Sequence, residues 1–240
     1  MARFRKAAAA LAAGCSAALL TGLAPAGNGI EDESARAIVD KARTELTRAR
    51  SVHMVAHADG EKGATTLDLR FDVDGNCAGS VSLPRGGGRA EIVKRGRDIW
   101  VKPDAAFLRS QVPAPAADGA AALIGDRWLH GTSDNVLLRK LTDVCDLKDF
   151  QRAYASRLAA GSLHKGGRAT VGGTPAVTVT GTRGGDTAAF YVATEGEPRL
   201  LRLEGREDGR SARADFLDYG APVPARTPPP ERSVDISGLR

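Results

Sequence analysis

The segment Thr66–Asp74 alternates without a break. Leu67, Leu69, Phe71 and Val73 fall on one side, and Asp68, Arg70, Asp72 and Asp74 on the other. A period of two fits only an extended strand with one buried and one solvated face. That demands partner strands and something apolar to cover the buried face. The rest of the chain supplies both. Ser51–Ala58 is β-compatible, and Asp74-Gly75-Asn76 turns the chain into a strand holding Val81 and Leu83. Glu91–Lys94 and Asp98–Lys102 read as a hairpin about Arg95-Gly96-Arg97. Further strands are expected at Ala169–Val171, Pro175–Gly181, Thr187–Thr194, Arg199–Glu204 and Ser211–Leu217, separated by glycine-containing turns. Strands at this spacing with tight turns make an antiparallel meander.

Two helical stretches interrupt the strands. Ser34 is placed to cap a helix over Ala35–Arg48, where Ile38, Ala42, Leu46 and Ala49 recur every three or four residues. From about Asn135 to Leu158 the period is again helical, in two pieces. Leu137, Leu141 and Val144 form one stripe; Phe150, Tyr154 and Leu158 form the next, with Asp146 as its cap. Pro113–Gly119 reads as a loop, and Pro222–Pro230, with five prolines, as an extended edge or free segment. Helix, meander, helical insertion, meander is an α+β order: a large antiparallel sheet packing one face on a few helices.

The N-terminus has the pattern of an export signal. Arg3, Arg5 and Lys6 precede an alanine-rich apolar run to Ala26, and no acidic residue appears before Glu31. Two processing routes are open. Ala24-Pro25-Ala26 fits ordinary signal peptidase. Leu11-Ala12-Ala13-Gly14-Cys15 is lipobox-like, which would make Cys15 an acylated N-terminus attached to the membrane. Either route places the mature chain outside the cytoplasm, and no later segment is apolar enough to span a bilayer. Of the other cysteines, Cys77 follows a strand turn and Cys145 ends a helix. In an exported chain such a pair favours a disulfide over two free thiols, here stapling the helical insertion to the first meander.

Composition excludes some partners. The chain has 34 basic and 29 acidic residues, +5, and loss of Arg3, Arg5 and Lys6 with the signal leaves +2. With 5% aromatic residues and scattered cations, nucleic acid is not an expected partner. Asp72-Val73-Asp74-Gly75-Asn76 starts like a calcium loop but has Cys77 where glycine belongs and Leu83 where glutamate belongs, so an acidic turn is expected. His53 and His57 are spaced wrongly for a metal pair and lack a third ligand. No nucleophile elbow, P-loop, dinucleotide fingerprint or zinc-protease motif occurs, and Gly86-Gly87-Gly88 precedes no helix start, so it reads as a flexible hairpin tip. No cofactor, metal or catalytic residue is therefore expected.

What remains is the apolar strand face. Leu67, Leu69, Phe71, Val73, Ile99, Val101, Val177, Val179, Phe190, Val192, Leu201, Leu203 and Phe216 could line one concave surface. A filled core and a lipid-sized cavity need the same alternation; periodicity alone favours the filled core. A dry void behind Phe71, Val101 and Val192 would decide for the cavity.

Several segments together are similar to actinobacterial lipoproteins of the LppX/LprA/LprF/LprG type, which share a fold with the lipoprotein carriers LolA and LolB. They are Ser51-Val52-His53, Ala90–Val93 with Asp98–Lys102, Gly125–Trp128, Phe190–Ala193 followed by Gly196–Leu203, Asp218-Tyr219-Gly220 and Pro222-Val223. The resemblance covers roughly Ser34 to Ile236. It implies a half-open antiparallel β-barrel wrapped around helices, with a hydrophobic cavity for lipid or glycolipid acyl chains, and it reverses the preference for a filled core. It supplies no catalytic residues. The expected organisation is an export signal over 1–26, a linker over 27–33, a LolA-like domain over 34–220 and a proline-rich tail over 221–240. The expected function is non-enzymatic lipid binding outside the cytoplasm. The rival reading is an envelope sensor or protein-interaction module on the same fold, comparable to periplasmic regulators of envelope-stress signalling.

Overall fold

The computed structural model describes residues 27–111, 113–158, 161–183, 185–207 and 209–238; the segment expected to be an export signal, with Cys15, lies outside them. Residues 27–33, expected to be a linker, are docked on the sheet. Asn28 donates to the carbonyls of Ala193 and Gly196, and Ile30 is buried in the main core. Helix α1 then spans Ala35–Arg48, as its pattern predicts, and the Ser34 hydroxyl accepts from the Ala37 N–H at 3.2 Å. Ile38, Val39, Ala42 and Leu46 are fully buried. Each such Ile, Val or Leu contributes roughly 1.5–3 kcal/mol.

Strands β1 (Ser51–Gly60), β2 (Gly63–Asp72), β3 (Cys77–Ser82), β4 (Arg89–Arg95) and β5 (Asp98–Pro103) form the first meander. The turn after β2 is the acidic turn expected: Asp72 Oδ1 accepts from the N–H groups of Asp74 and Asn76, both at 2.9 Å. The Gly86–Gly88 tip is less free than expected. A Cβ on Gly88 would come within 2.0 Å of the Phe107 nitrogen, because Asp104 draws the tip and a following helix together. Its Oδ1 caps the Phe107 N–H at 2.7 Å, and its Oδ2 accepts from the Arg89 N–H at 2.9 Å.

The insertion holds α2 (Ala105–Gln111), α3 (Ala114–Ile124), β6 (Trp128–Thr132), α4 (Val136–Thr142), a 3-10 turn Asp143–Cys145 and α5 (Leu147–Leu158). The stretch 113–119, expected to be a loop, is largely helical. Pro115 falls in the first turn, where its missing N–H costs nothing, and alanine is the best helix former. Asp146 caps α5 through the Asp149 N–H, as expected. The expected stripe of the first piece is turned around: Leu137 and Val144 are exposed, and Leu138 is buried in their place. The Leu158 side chain lies outside the described residues.

The second meander is β7 (Ser162–Val171), β8 (Thr174–Arg183), β9 (Asp186–Ala193), β10 (Leu200–Glu207) and β11 (Arg210–Leu217). The tail passes Asn76 and Arg95 with residues 223–227 and ends as β12 (Ser233–Asp235), parallel to β6. One twelve-stranded sheet results, in the order β12-β6-β5-β4-β3-β2-β1-β11-β10-β9-β8-β7. Apart from the β12–β6 pair it is antiparallel, and it is open: its first and last strands do not meet. Helices α1 and α5 fill the concave face over the larger core. A smaller core of Ala90, Ile99, Val101, Phe107, Leu129, Leu138 and Ile236 lies toward the β6 edge.

A disulfide joins Cys77 to Cys145, both fully buried. It ties the 3-10 turn before α5 to the start of β3. From there α5 lays Phe150 against Phe71 and Phe216, with ring centroids 5.2 and 5.9 Å apart. Gln151 donates to the Leu46 and Ala49 carbonyls at 2.9 Å, fixing α5 to the C-terminal end of α1.

Candidate functional site

Strand register arranges the concave face in rows that cross the sheet. One row reads Val177 and Val192 on β8 and β9, Leu200 on β10, and, beyond an irregularity at Leu201, Phe216, Met54 and Leu69 on β11, β1 and β2. The next reads Val179, Phe190, Leu203, Ala214, Ala56 and Leu67. The one after that reads Gly181, Ala188, Gly205, Ala212, Ala58 and Thr65. Side chains therefore shrink from one end of each strand to the other. The large rows are filled by α1 and α5. The small row leaves space.

That space is a cavity of about 480 Å³, opening at the end of the sheet where the β1–β2, β8–β9 and β10–β11 hairpins turn. Met54, Ala56, Leu67, Ala188, Phe190 and Leu203 are among its walls, with Gly181 and Gly205 giving backbone approach. Tyr154 of α5 lines it too and packs edge-on against Phe216 at 5.6 Å, so α5 divides the filled core from the cavity. At the mouth the apolar rows end in charge: Arg183 faces Asp186 across the β8–β9 hairpin, and Arg210 pairs with Glu61 at 2.7 Å. The chemistry is that of an apolar slot with a polar rim, about the size of small-molecule sites. Among the described residues no three His, Cys, Asp or Glu side chains gather to hold a metal.

Of the thirteen apolar residues singled out in the sequence, Leu67, Phe190 and Leu203 line the cavity. Leu69, Phe71, Val177, Val179, Val192 and Phe216 belong to the filled core, and Val73, just past β2, packs against it. Ile99 and Val101 lie in the smaller core. Leu201 joins neither cluster, because the irregularity in β10 turns Leu200 and Leu203 inward instead. Phe71 and Val192, named as the place where a void would decide for a cavity, pack in the larger core and Val101 in the smaller one, and the open space lies one to two rows beyond Val192. Sequence reasoning sought large apolar residues and missed Ala56, Ala58, Ala188, Ala212 and the two glycines. Their in-phase spacing with the large positions was the available signal.

The convex face carries the polar work. His53 is buried there between two carboxylates, Nε2 at 2.9 Å from Asp68 and Nδ1 at 3.1 Å from Asp218. Next to it Tyr219 turns inward and donates to the Leu200 carbonyl at 2.8 Å; burial pushes its phenol far above the ordinary tyrosine range. Burial and the neighbouring Glu204, which accepts its hydroxyl at 3.1 Å, also raise Tyr191. Near the β6 edge, Asp126 is held below the usual carboxylate range by Lys102, which bonds to it at 2.5 Å, and by Arg232.

Solved structures share this open, mostly antiparallel sheet packed on helices, two of them being mycobacterial lipoproteins. LprF from Mycobacterium bovis superposes with a TM-score of 0.57 at 14% identity, over 81% of this chain and 96% of its own. The fold is that of LprF and LppX. For the lipoprotein LppX from Mycobacterium tuberculosis the values are 0.51 and 14%, over 80% of this chain and 97% of LppX. The α+β architecture expected from the LppX/LprF-type resemblance is thus the one observed. No protein-family model matches the chain, and no curated protein matches it in sequence. Among the described residues no helix is long and apolar enough to cross a membrane.

Proposed function

We propose that this chain is a non-enzymatic, extracytoplasmic binding protein that takes the acyl chains of a lipid or glycolipid into the concave-face cavity. The observation that carries the reading is the row Gly181, Ala188, Gly205, Ala212 and Ala58, which keeps an apolar slot empty beside a filled core. An acyl chain entering it leaves water at ~0.8 kcal/mol per buried methylene. Arginines and hydroxyl groups at the mouth suit a headgroup that stays wet. The LprF/LppX fold, the disulfide and the export signal support a site of action outside the cytoplasm. Cys15, if acylated, tethers the domain to the membrane; otherwise it leaves with the signal.

Native mass spectrometry of protein purified without detergent and offered lipid vesicles tests this. The expected spectrum shows protein with one lipid mass added, and loss of that species in an Ala188→Phe/Ala212→Phe variant whose added rings fill the slot. A wild-type protein that stays ligand-free after vesicle exposure overturns the reading.

A further inference from the structure

The helical insertion carries an apolar surface that the cavity does not use. Val136 and Leu137 on α4 are 52% and 55% exposed, and Val144 on the following turn is 41% exposed. Leu137 lies on α4 and Val144 on the 3-10 turn that follows it. Leu123, at the end of α3, is 70% exposed. Its neighbour Ile124 packs against the same small core as Leu141 of α4, so both helices lie over one part of the fold. Single exposed apolar residues are ordinary; four on α3, α4 and the turn after α4 call for a partner.

The charge around them selects the partner. Helix α4 contains no acidic residue, and Arg139 and Lys140 stand exposed on it without an ion-pair partner among the described residues. Arg127 donates to the backbone carbonyls of Leu123 and Ile124, which sets its charge beside exposed Leu123 without neutralising it. Nearby carboxylates are engaged elsewhere: Asp134 with Arg97, and Asp126 with Lys102 and Arg232. Asp143, exposed beside Val144, is the acid closest in sequence to the stripe. Exposed apolar side chains with unpaired cations on the same elements match the boundary between phosphate headgroups and acyl chains.

We infer that the α3 end and α4 dock this protein on an anionic membrane surface. Leu123, Leu137 and Val144 enter the headgroup boundary, while Arg127, Arg139 and Lys140 meet lipid phosphates. The surface lies apart from the cavity, so the inference stands whether or not the cavity holds an acyl chain.

Hydrogen exchange of the full chain tests it, with no vesicles, phosphatidylcholine vesicles and phosphatidylglycerol vesicles. A local readout separates this surface from any tether at residue 15. Amides of 120–124 and 136–144 are expected to gain protection only on phosphatidylglycerol vesicles. In Arg139→Gln/Lys140→Gln the vesicle concentration for half protection should rise about twenty-five-fold, at about fivefold per cation lost. Unchanged protection of α1 reports that this variant is folded. Protection already present without vesicles means that protein covers the stripe, and equal protection on phosphatidylcholine means that charge does not select the partner; either overturns the inference.

Discussion

Replacing Cys77 and Cys145 together by alanine removes a cross-link that closes a loop 68 residues apart in sequence. Without it the unfolded chain regains the entropy of that loop, ~4 kcal/mol at room temperature. The native contacts should hardly change, since both sulfurs are buried and alanine fits wherever cysteine does. For a domain of this size each kcal/mol moves the melting temperature by about 2–4 °C, so the variant should melt roughly 8–16 °C lower. Calorimetry of the oxidised wild type and the double variant reads this directly. Wild type treated with reductant should fall to the variant's value. The bridge fixes α5 on the sheet through the turn that holds Cys145, so loss of cooperativity should show first as earlier exposure of Phe150 and Tyr154. A shift below about 3 °C would refute the reasoning, for it would mean that the insertion is held as firmly by packing alone.

The orientation of α4 predicts a contrast between adjacent leucines. Leu138→Ala should cost about 2–5 kcal/mol in urea unfolding, while Leu137→Ala should stay within about 0.5 kcal/mol of wild type. Phe150→Ala removes ring contacts with Phe71, Tyr154 and Phe216 and should cost ~3 kcal/mol, with α5 the first element to lose exchange protection. Tyr219 sets an alkaline limit. Its phenol is raised in the fold, so above pH ~10 the native state keeps a proton that the unfolded chain releases, and stability falls as pH rises, by up to ~1.4 kcal/mol per pH unit. Urea midpoints between pH 9 and 11.5 should fall less steeply for Tyr219→Phe; parallel slopes would show that burial does not hold that proton.

Much of this fold was legible because single residues gave strong local signals. Ser34 and the apolar spacing after it set α1, and the alternation of Leu67, Leu69, Phe71 and Val73 set β2 and its inward face. The segment 113–119 misled because proline and alanine together look like loop composition, although a proline in the first turn leaves the helix intact. On α4, Leu137-Leu138 allows two apolar stripes of equal merit. The fold turns Leu138 into the smaller core and leaves Leu137 exposed, a choice the local pattern does not contain. The irregularity at Leu201 exchanges Leu200 for Leu201 on the inner face, and no composition signal announces it. The cavity was the hardest feature to read, since it is made by what Ala188, Gly205 and Ala212 lack. Periodicity shows which way a side chain points. It does not show whether a helix fills the space opposite.

The central claim is that this space takes an acyl chain, and the dependence of affinity on chain length tests it most directly. With single-chain lipids of one headgroup, each pair of methylenes that enters the slot should contribute ~1.6 kcal/mol and tighten Kd about fifteenfold, levelling off when the cavity is full. Ala188→Phe/Ala212→Phe should bring the plateau to shorter chains. An affinity that is flat with chain length in the wild type, or that rises identically in the filled variant, would contradict the account.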